Sequence, residues 1–285
     1  MPVARFRVGD DGLPADRDAM VARYRTDGAV VVENVFSADE VAGPVDELVA
    51  AMRAALLDQG ATDLPSDPDA VYQALWQANS GQAEACMGLG KDVPGFLHLI
   101  SHPKLRKVIS QLLGDDRHML AFDHCLFRID GHETRRSAFD WHQDYPFNVL
   151  SLDALTFWIP LRPVSEEMGS LRLVPGSHDR VRPVTPVADA GRFDPNRLRL
   201  VEAPNEVERW EAASASLGDL QPGSVALFDC KVLHRSGENG TDRFRWIANG
   251  RYGRLADQAL MRRNWYIART KYPRYFAEAH PDLVR

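Results

Sequence analysis

The sequence predicts an α+β fold in which a mainly helical first part packs on a β-sandwich or β-barrel core. Two observations carry that prediction. Residues 1–116 hold several stretches with apolar positions at helical spacing. After about residue 117, segments of five to ten residues rich in Phe, Val, Leu, Ile and Trp recur between Gly, Pro, Asp and Asn. Repeated short strands with turn signals belong to sandwiches and barrels rather than to alternating βαβ units.

The elements follow in order. Residues 16–27 read as a helix that stops at Gly28, and the β-branched run AVVVENVF at 29–36 reads as a strand. Ser37-Ala-Asp-Glu40 has the form of a capping box, opening a helix that continues to about Gln59. Further helices are expected near 67–79 and 103–113. Strands are expected at 118–129, 139–145, 154–161, 170–175, 224–229 and 243–252. Residues 180–215, rich in Pro, Arg and Asp, read as a long irregular insertion of the lid type. No repeat or linker divides the chain. It reads as one domain over 1–285, with 1–116 mainly helical, 117–255 the β core and 256–285 a C-terminal segment.

Composition narrows the function. The chain has 285 residues, 45% hydrophobic and 26% charged, an ordinary globular balance. Its net charge of -6 lacks the basic footprint of a nucleic-acid binder. No apolar run approaches the roughly 18 to 20 residues of a membrane span, and no signal peptide is expected from the charged, Gly/Pro-broken start. Cys86, Cys125 and Cys230 are too widely spaced for a metal knuckle or a disulfide framework, so a reduced cytoplasm is expected. The expected partner is a small-molecule substrate, with no nucleic acid and no membrane, for a monomer or homodimer.

The sharpest chemical signal is Trp141-His142-Gln143-Asp144. On a strand, side chains at i and i+2 leave the same face, so His142 and Asp144 would enter one cavity while Gln143 points the other way. One imidazole and one carboxylate are two members of a facial metal triad, which needs a second imidazole from elsewhere. His234, in LFDCKVLHRSGEN, is the candidate. His98, His102, His118, His132, His178 and His280 read as surface or structural.

WHQD, followed by ALTFWIPLRPVSEEMGSLRLVPGSH and LFDCKVLHRSGENGTDRFRWIANGRY, resembles the phytanoyl-CoA dioxygenase family, and DGAVVVENVFSADEV near the N-terminus is also typical of it. These are Fe(II)- and 2-oxoglutarate-dependent oxygenases, a group that includes ectoine hydroxylase. The resemblance implies a double-stranded β-helix (a cupin-like jelly roll) with N-terminal and flanking helices. It implies Fe(II) held by His142, Asp144 and His234, with O2 consumed and 2-oxoglutarate converted to succinate and CO2. Arg245, eleven residues beyond His234, matches the arginine that binds the far carboxylate of 2-oxoglutarate, which a planar guanidinium suits. Alternation puts Arg243 on the same face as its nearest rival. Ser236 resembles the serine beside that carboxylate, and Trp158 an aromatic lining the cosubstrate pocket. His124 falls where family members place a cosubstrate contact, and Gln143 would contribute through backbone. Because Asp144 keeps the carboxylate that halogenases of this family replace, hydroxylation, desaturation or cyclisation is implied rather than halogenation.

Substrate contacts are expected from 180–215, the helical 67–100 region and the loop after the ligands, with Arg162, Arg172, Arg180 and Arg182 as candidate anion contacts. The overall acidity argues against an acyl-CoA, and composition together with the breadth of the resembled family points to a small polar metabolite or natural-product intermediate. The alternatives are a redox-neutral isomerase or hydrolase on the same barrel, and a non-catalytic binding protein of the fold.

Overall fold

The computed structural model describes residues 2–131, 139–187, 198–263 and 273–285. Helices dominate the first part: α1 (Arg17–Asp27), α2 (Ala38–Asp58), α3 (Pro68–Ala78), α4 (Ser80–Leu89), α5 (Pro94–Ile100) and α6 (Pro103–Leu113). Gly28 closes α1 in the left-handed conformation, φ 76°, which glycine adopts without a Cβ penalty. The capping box forms: Ser37 Oγ accepts from Glu40 N, and Glu40 Oε2 accepts from Ser37 N at 2.7 Å. Replacing Ser37 by Ala is expected to cost about 1 kcal/mol, read as a lower urea midpoint at an unchanged slope.

Helices α4 and α5 fall within the 67–100 region expected to be helical, where the sequence bounds only the helix near 67–79. Asn79 caps α4, and Pro94 starts α5 at its first turn. Both are short and lean on tertiary contact, which hides their bounds from a reading by periodicity.

The β part begins early and is mixed. Strands β1 (Arg5–Arg7), β2 (Ala29–Glu33), β3 (His118–Leu120), β4 (Leu126–Asp130), β5 (Leu155–Pro160), β6 (Arg172–Leu173), β7 (Val184–Pro186), β8 (Leu198–Leu200), β9 (Ala215–Ser216), β10 (Val225–Asp229), β11 (His234–Arg235) and β12 (Arg245–Arg254) form three sheets. The large one runs β1-β2-β10-β5-β12-β3, with β4 also pairing β12. It is antiparallel apart from the β1–β2 pair. A second runs β11-β6-β9, and β7 pairs β8.

Alternation along the large sheet sorts its residues into two layers. Val30, Val32, Phe127, Ile129, Leu155, Phe157, Leu227, Trp246 and Ala248 pack with the helices. Val31, Trp158, Ala226, Phe228 and Ile247 face the other way and share an apolar layer with Leu171, Leu173, Ala215 and Leu217 around the second sheet. Burying each large side chain in these layers contributes about 1.5–3 kcal/mol. The inner face of β12 therefore carries Arg245, Ile247, Asn249 and Arg251, and that of β5 carries Thr156 and Trp158. The α+β class is as expected.

Three expectations are corrected. The stretch 118–129 is not one strand, because a turn at Phe122–His124 divides β3 from β4. No strand covers 139–145. The 180–215 segment is not irregular: β7, β8 and the helix α7 (Glu206–Ala213) lie in it, with residues 188–197 outside the described ones. Its Val184, Leu198, Leu200 and Trp210 cluster with Trp141 and Tyr145. Past β12, short helices α8 (Gln258–Met261) and α9 (Pro273–Ala279) follow, and Phe276 of α9 joins the same cluster. Among the described residues, no helix is long and apolar enough to cross a membrane.

Candidate metal centre and active site

Two short pieces of backbone assemble the centre. His142 and His234 face each other in an antiparallel bridge, each donating its N–H to the other's carbonyl at 3.0 Å. Asp144 has helical backbone angles, φ -70°, ψ -29°, and leads into a tight turn at Tyr145–Phe147. A bridge followed by a turn thus replaces the extended strand, and it aims His142 and Asp144 at one point all the same. Pro146 explains the local choice, since it fixes φ for a turn and cannot donate to a ladder.

The donor atoms of His142, Asp144 and His234 lie within 4.8 Å of one another. His142 Nε2 is 3.9 Å from Asp144 Oδ1, and His234 Nε2 is 3.9 Å from Asp144 Oδ2. An ion with bonds of about 2.1 Å joins donors up to about 4.2 Å apart, and each imidazole lies within that reach of the Asp144 carboxylate. Both rings are preset for it. His142 Nδ1 donates to the Asp140 carbonyl at 2.7 Å and His234 Nδ1 to the Val232 carbonyl at 3.0 Å, which leaves each Nε2 lone pair facing the carboxylate. Phe139 stacks on the His142 ring at 5.0 Å, and Phe228 flanks His234 at 4.7 Å.

Burial sets the charges. It pushes His142 down to about 3, with His234 beside it acting in the same direction, and it lowers His234 as well. Burial alone would raise the Asp144 carboxyl, but the Arg251 guanidinium and the two imidazoles hold it well below the usual carboxylate range. Two neutral imidazoles and a carboxylate are the charge state that a divalent cation takes without displacing protons.

Arg251 and Thr156 are the residues that sequence reasoning missed. Arg251 donates to both oxygens of Asp144, Nη2 to Oδ1 at 2.7 Å and Nε to Oδ2 at 3.1 Å. Its Nη1 donates to the His124 carbonyl at 2.8 Å. Thr156 Oγ1 donates to Asp144 Oδ2 at 2.6 Å. The signals were faint: a lone hydroxyl in the apolar strand ALTFWIPL, and an arginine in phase with Arg245 on RFRWIANGRY.

The other expected site residues divide. Arg245 is buried on the inner face of β12, where its Nη1 donates to the carbonyls of Gly169 and Gly237 and its Nη2 lies 3.7 Å from Asp130 Oδ2. Its Nε is buried with no partner, as is Ser170 Oγ next to Gly169. Ser236 is buried one residue before Gly237, and its Oγ accepts from Phe139 N at 3.4 Å. Trp158 is buried on the inner face of β5, opposite Asn249 in register, and the side-chain oxygen of Asn249 also lacks a partner. His124 is buried in the turn rather than on a strand, against Arg251. Gln143 is committed to backbone: its Nε2 donates to the carbonyls of Arg180 and Lys231, and its Oε1 accepts from Arg182 N at 2.8 Å.

Arg243 does not share the inner face with Arg245. It lies before β12, half exposed, 3.9 Å from Asp69 on the helical side. Arg162 likewise turns to α3, 2.7 Å from Asp67, which removes it from the candidate substrate contacts. Arg172 is tied to Ser214, and Arg182 lies over the Trp210 ring. His132 lies outside the described residues.

Gly169 and Gly237 make the Arg245 cradle possible. Gly169 has φ 79°, and a Cβ on Gly237 would meet the Ser170 carbonyl oxygen at 2.5 Å. Replacing Gly237 by Ala is expected to destabilise the fold by about 1–3 kcal/mol, measured by urea unfolding.

Two imidazoles and a carboxylate gathered in a fold of facing sheets define a non-haem iron centre of the facial-triad class. A family model agrees over most of the chain. The chain belongs to the phytanoyl-CoA dioxygenase (PhyH) family, whose model matches residues 24–247, and with its triad it is an Fe(II)- and 2-oxoglutarate-dependent oxygenase of small molecules. The redox-neutral and non-catalytic alternatives give way to that assignment.

Among the relatives, ectoine dioxygenase of Sphingopyxis alaskensis is 26% identical over 253 residues, covering 84% of this chain and 76% of the relative. Ectoine dioxygenase of Bordetella bronchiseptica is 25% identical over 256 residues, covering 80% and 71%. Among solved structures, the S. alaskensis enzyme EctD with 2-oxoglutarate and 5-hydroxyectoine is similar at a TM-score of 0.54 and 23% identity, covering 96% of this chain and 90% of that one. The epimerase SnoN in complex with Fe3+, alpha ketoglutarate and nogalamycin RO is similar at 0.55 and 22%, covering 84% of each chain.

Proposed function

We propose that the protein hydroxylates, or otherwise oxidises, an unactivated C–H bond of a small polar metabolite or natural-product intermediate, in the cytoplasm, as a monomer or homodimer. We read the chain as one domain, its facing sheets as a double-stranded β-helix and the 180–215 segment as a cover over the substrate. The observation that carries the reading is the Arg245 guanidinium: buried, held by two carbonyls, and left with an unpaired Nε on the layer where the triad lies. Gly237, whose carbonyl holds Arg245, lies three positions beyond His234, at most about 10 Å along extended chain.

In this reading Arg245 and Ser236 hold the far carboxylate of 2-oxoglutarate. Trp158 closes the side of the pocket, while His124 and the Gln143 backbone border it. Iron, when bound by His142, Asp144 and His234, supplies the oxidative decarboxylation of the cosubstrate and the oxidation of the substrate. The chain's own part is position and a dry, apolar surround from Phe139, Phe228 and Ile247, which keeps water from competing. The likeness to ectoine dioxygenases supports a small substrate. Screening small polar compounds for substrate-dependent succinate release tests the proposal, and activity confined to acyl-CoA thioesters would overturn it.

A further inference from the structure

Both oxygens of Asp144 are already in use, and unequally. An ionised carboxylate offers about two in-plane lone pairs per oxygen. Oδ2 accepts two hydrogen bonds, from Arg251 Nε at 3.1 Å and Thr156 Oγ1 at 2.6 Å. Oδ1 accepts one, from Arg251 Nη2 at 2.7 Å. The guanidinium fork takes the two lone pairs that point to the same side. The hydroxyl therefore takes the remaining one on Oδ2, and a single lone pair is left, on Oδ1.

We propose that Arg251 and Thr156 are positioning residues for the metal ligand Asp144, which together restrict it to binding through Oδ1 alone. The assignment rests on the metal centre described above and adds to it the atom that binds and the residues that choose it. The device is written into the register. Arg251 on β12 and Thr156 on β5 are directly opposite partners in the sheet, so both side chains rise from one point of the inner face towards the same carboxylate. Arg251 is fixed in turn by the His124 carbonyl, and Thr156 is buried.

The consequence is geometric. Two imidazoles and one carboxylate oxygen would leave a six-coordinate metal three positions for other ligands, and binding through both oxygens of Asp144 would remove one of them. Lysine at 251 keeps the charge but loses the fork, and valine at 156 keeps the shape but loses the donor. Partners of this kind change metal affinity about 10- to 100-fold when altered.

The test uses the full chain, stripped of metal by chelation and titrated with Co(II), whose visible bands report coordination geometry. Wild type and Thr156→Ser are expected to bind alike and to give the same spectrum. Thr156→Val and Arg251→Lys are expected to bind Co(II) about 10- to 100-fold more weakly, with altered bands in the folded protein. A role in packing alone predicts a lower melting temperature for Thr156→Val with wild-type Co(II) affinity and bands, and that result overturns the assignment. A wild-type protein that binds no Co(II) instead overturns the metal centre itself.

Discussion

His234→Ala is expected to leave a folded protein that binds Fe(II) more than about 100-fold more weakly and releases no succinate in response to substrate. The physical reason is that the three donors are all the centre has: among the described residues, no other His, Cys, Asp or Glu group forms such a cluster. The backbone bridge to His142 does not use the imidazole, so the two carbonyl–amide bonds at 3.0 Å survive the substitution. The loss is therefore local to the ligand set. Metal titration beside circular dichroism reads both halves of the expectation, and undiminished Fe(II) affinity in a folded variant would remove His234 from the centre.

The second large effect is expected at Arg245. Arg245→Gln should raise the KM for 2-oxoglutarate at least about 30-fold, since truncating a buried, hydrogen-bonded charge partner costs about 2–5 kcal/mol. Co(II) affinity should stay at the wild-type level, because Arg245 bonds to Gly169, Gly237 and Asp130 and not to the triad. Asp130 keeps a partner in the variant, Arg128 at 3.1 Å, so the fold is expected to hold. Steady-state kinetics over a range of 2-oxoglutarate concentrations separates this outcome from a general loss of activity. An unchanged KM would leave the buried guanidinium without a role in cosubstrate binding.

Much of the architecture was legible because it is encoded locally. The Ser37–Glu40 box, the Gly28 stop and the β-branched run Ala29–Glu33 depend on neighbours a few residues away, and each falls where the sequence places it. The triad was legible for a different reason: His142 and Asp144 stand two residues apart, and the resemblance to the phytanoyl-CoA dioxygenase family joined His234 to them. The backbone itself was misread: periodicity cannot distinguish an extended strand from a bridge followed by a turn over only three residues. Arg243 and Arg245 were indistinguishable by alternation, because the strand starts at Arg245 and the chain before it has another course. Arg251 and Thr156 were illegible for a deeper reason. A buried cation is informative only once its partner is known, and Asp144 reaches Arg251 from 107 positions away.

Gln143 gives the centre a further property. The residue between two metal ligands spends its side chain on the carbonyls of Arg180 and Lys231 and on the amide of Arg182. One amide group therefore staples the outer segment to the ligand-bearing turn. On the proposed reading of 180–215 as a cover over the substrate, a loop exchange there would strain the metal site unless the replacement offers the same carbonyl and amide, so specificity and metal retention are expected to evolve as linked traits.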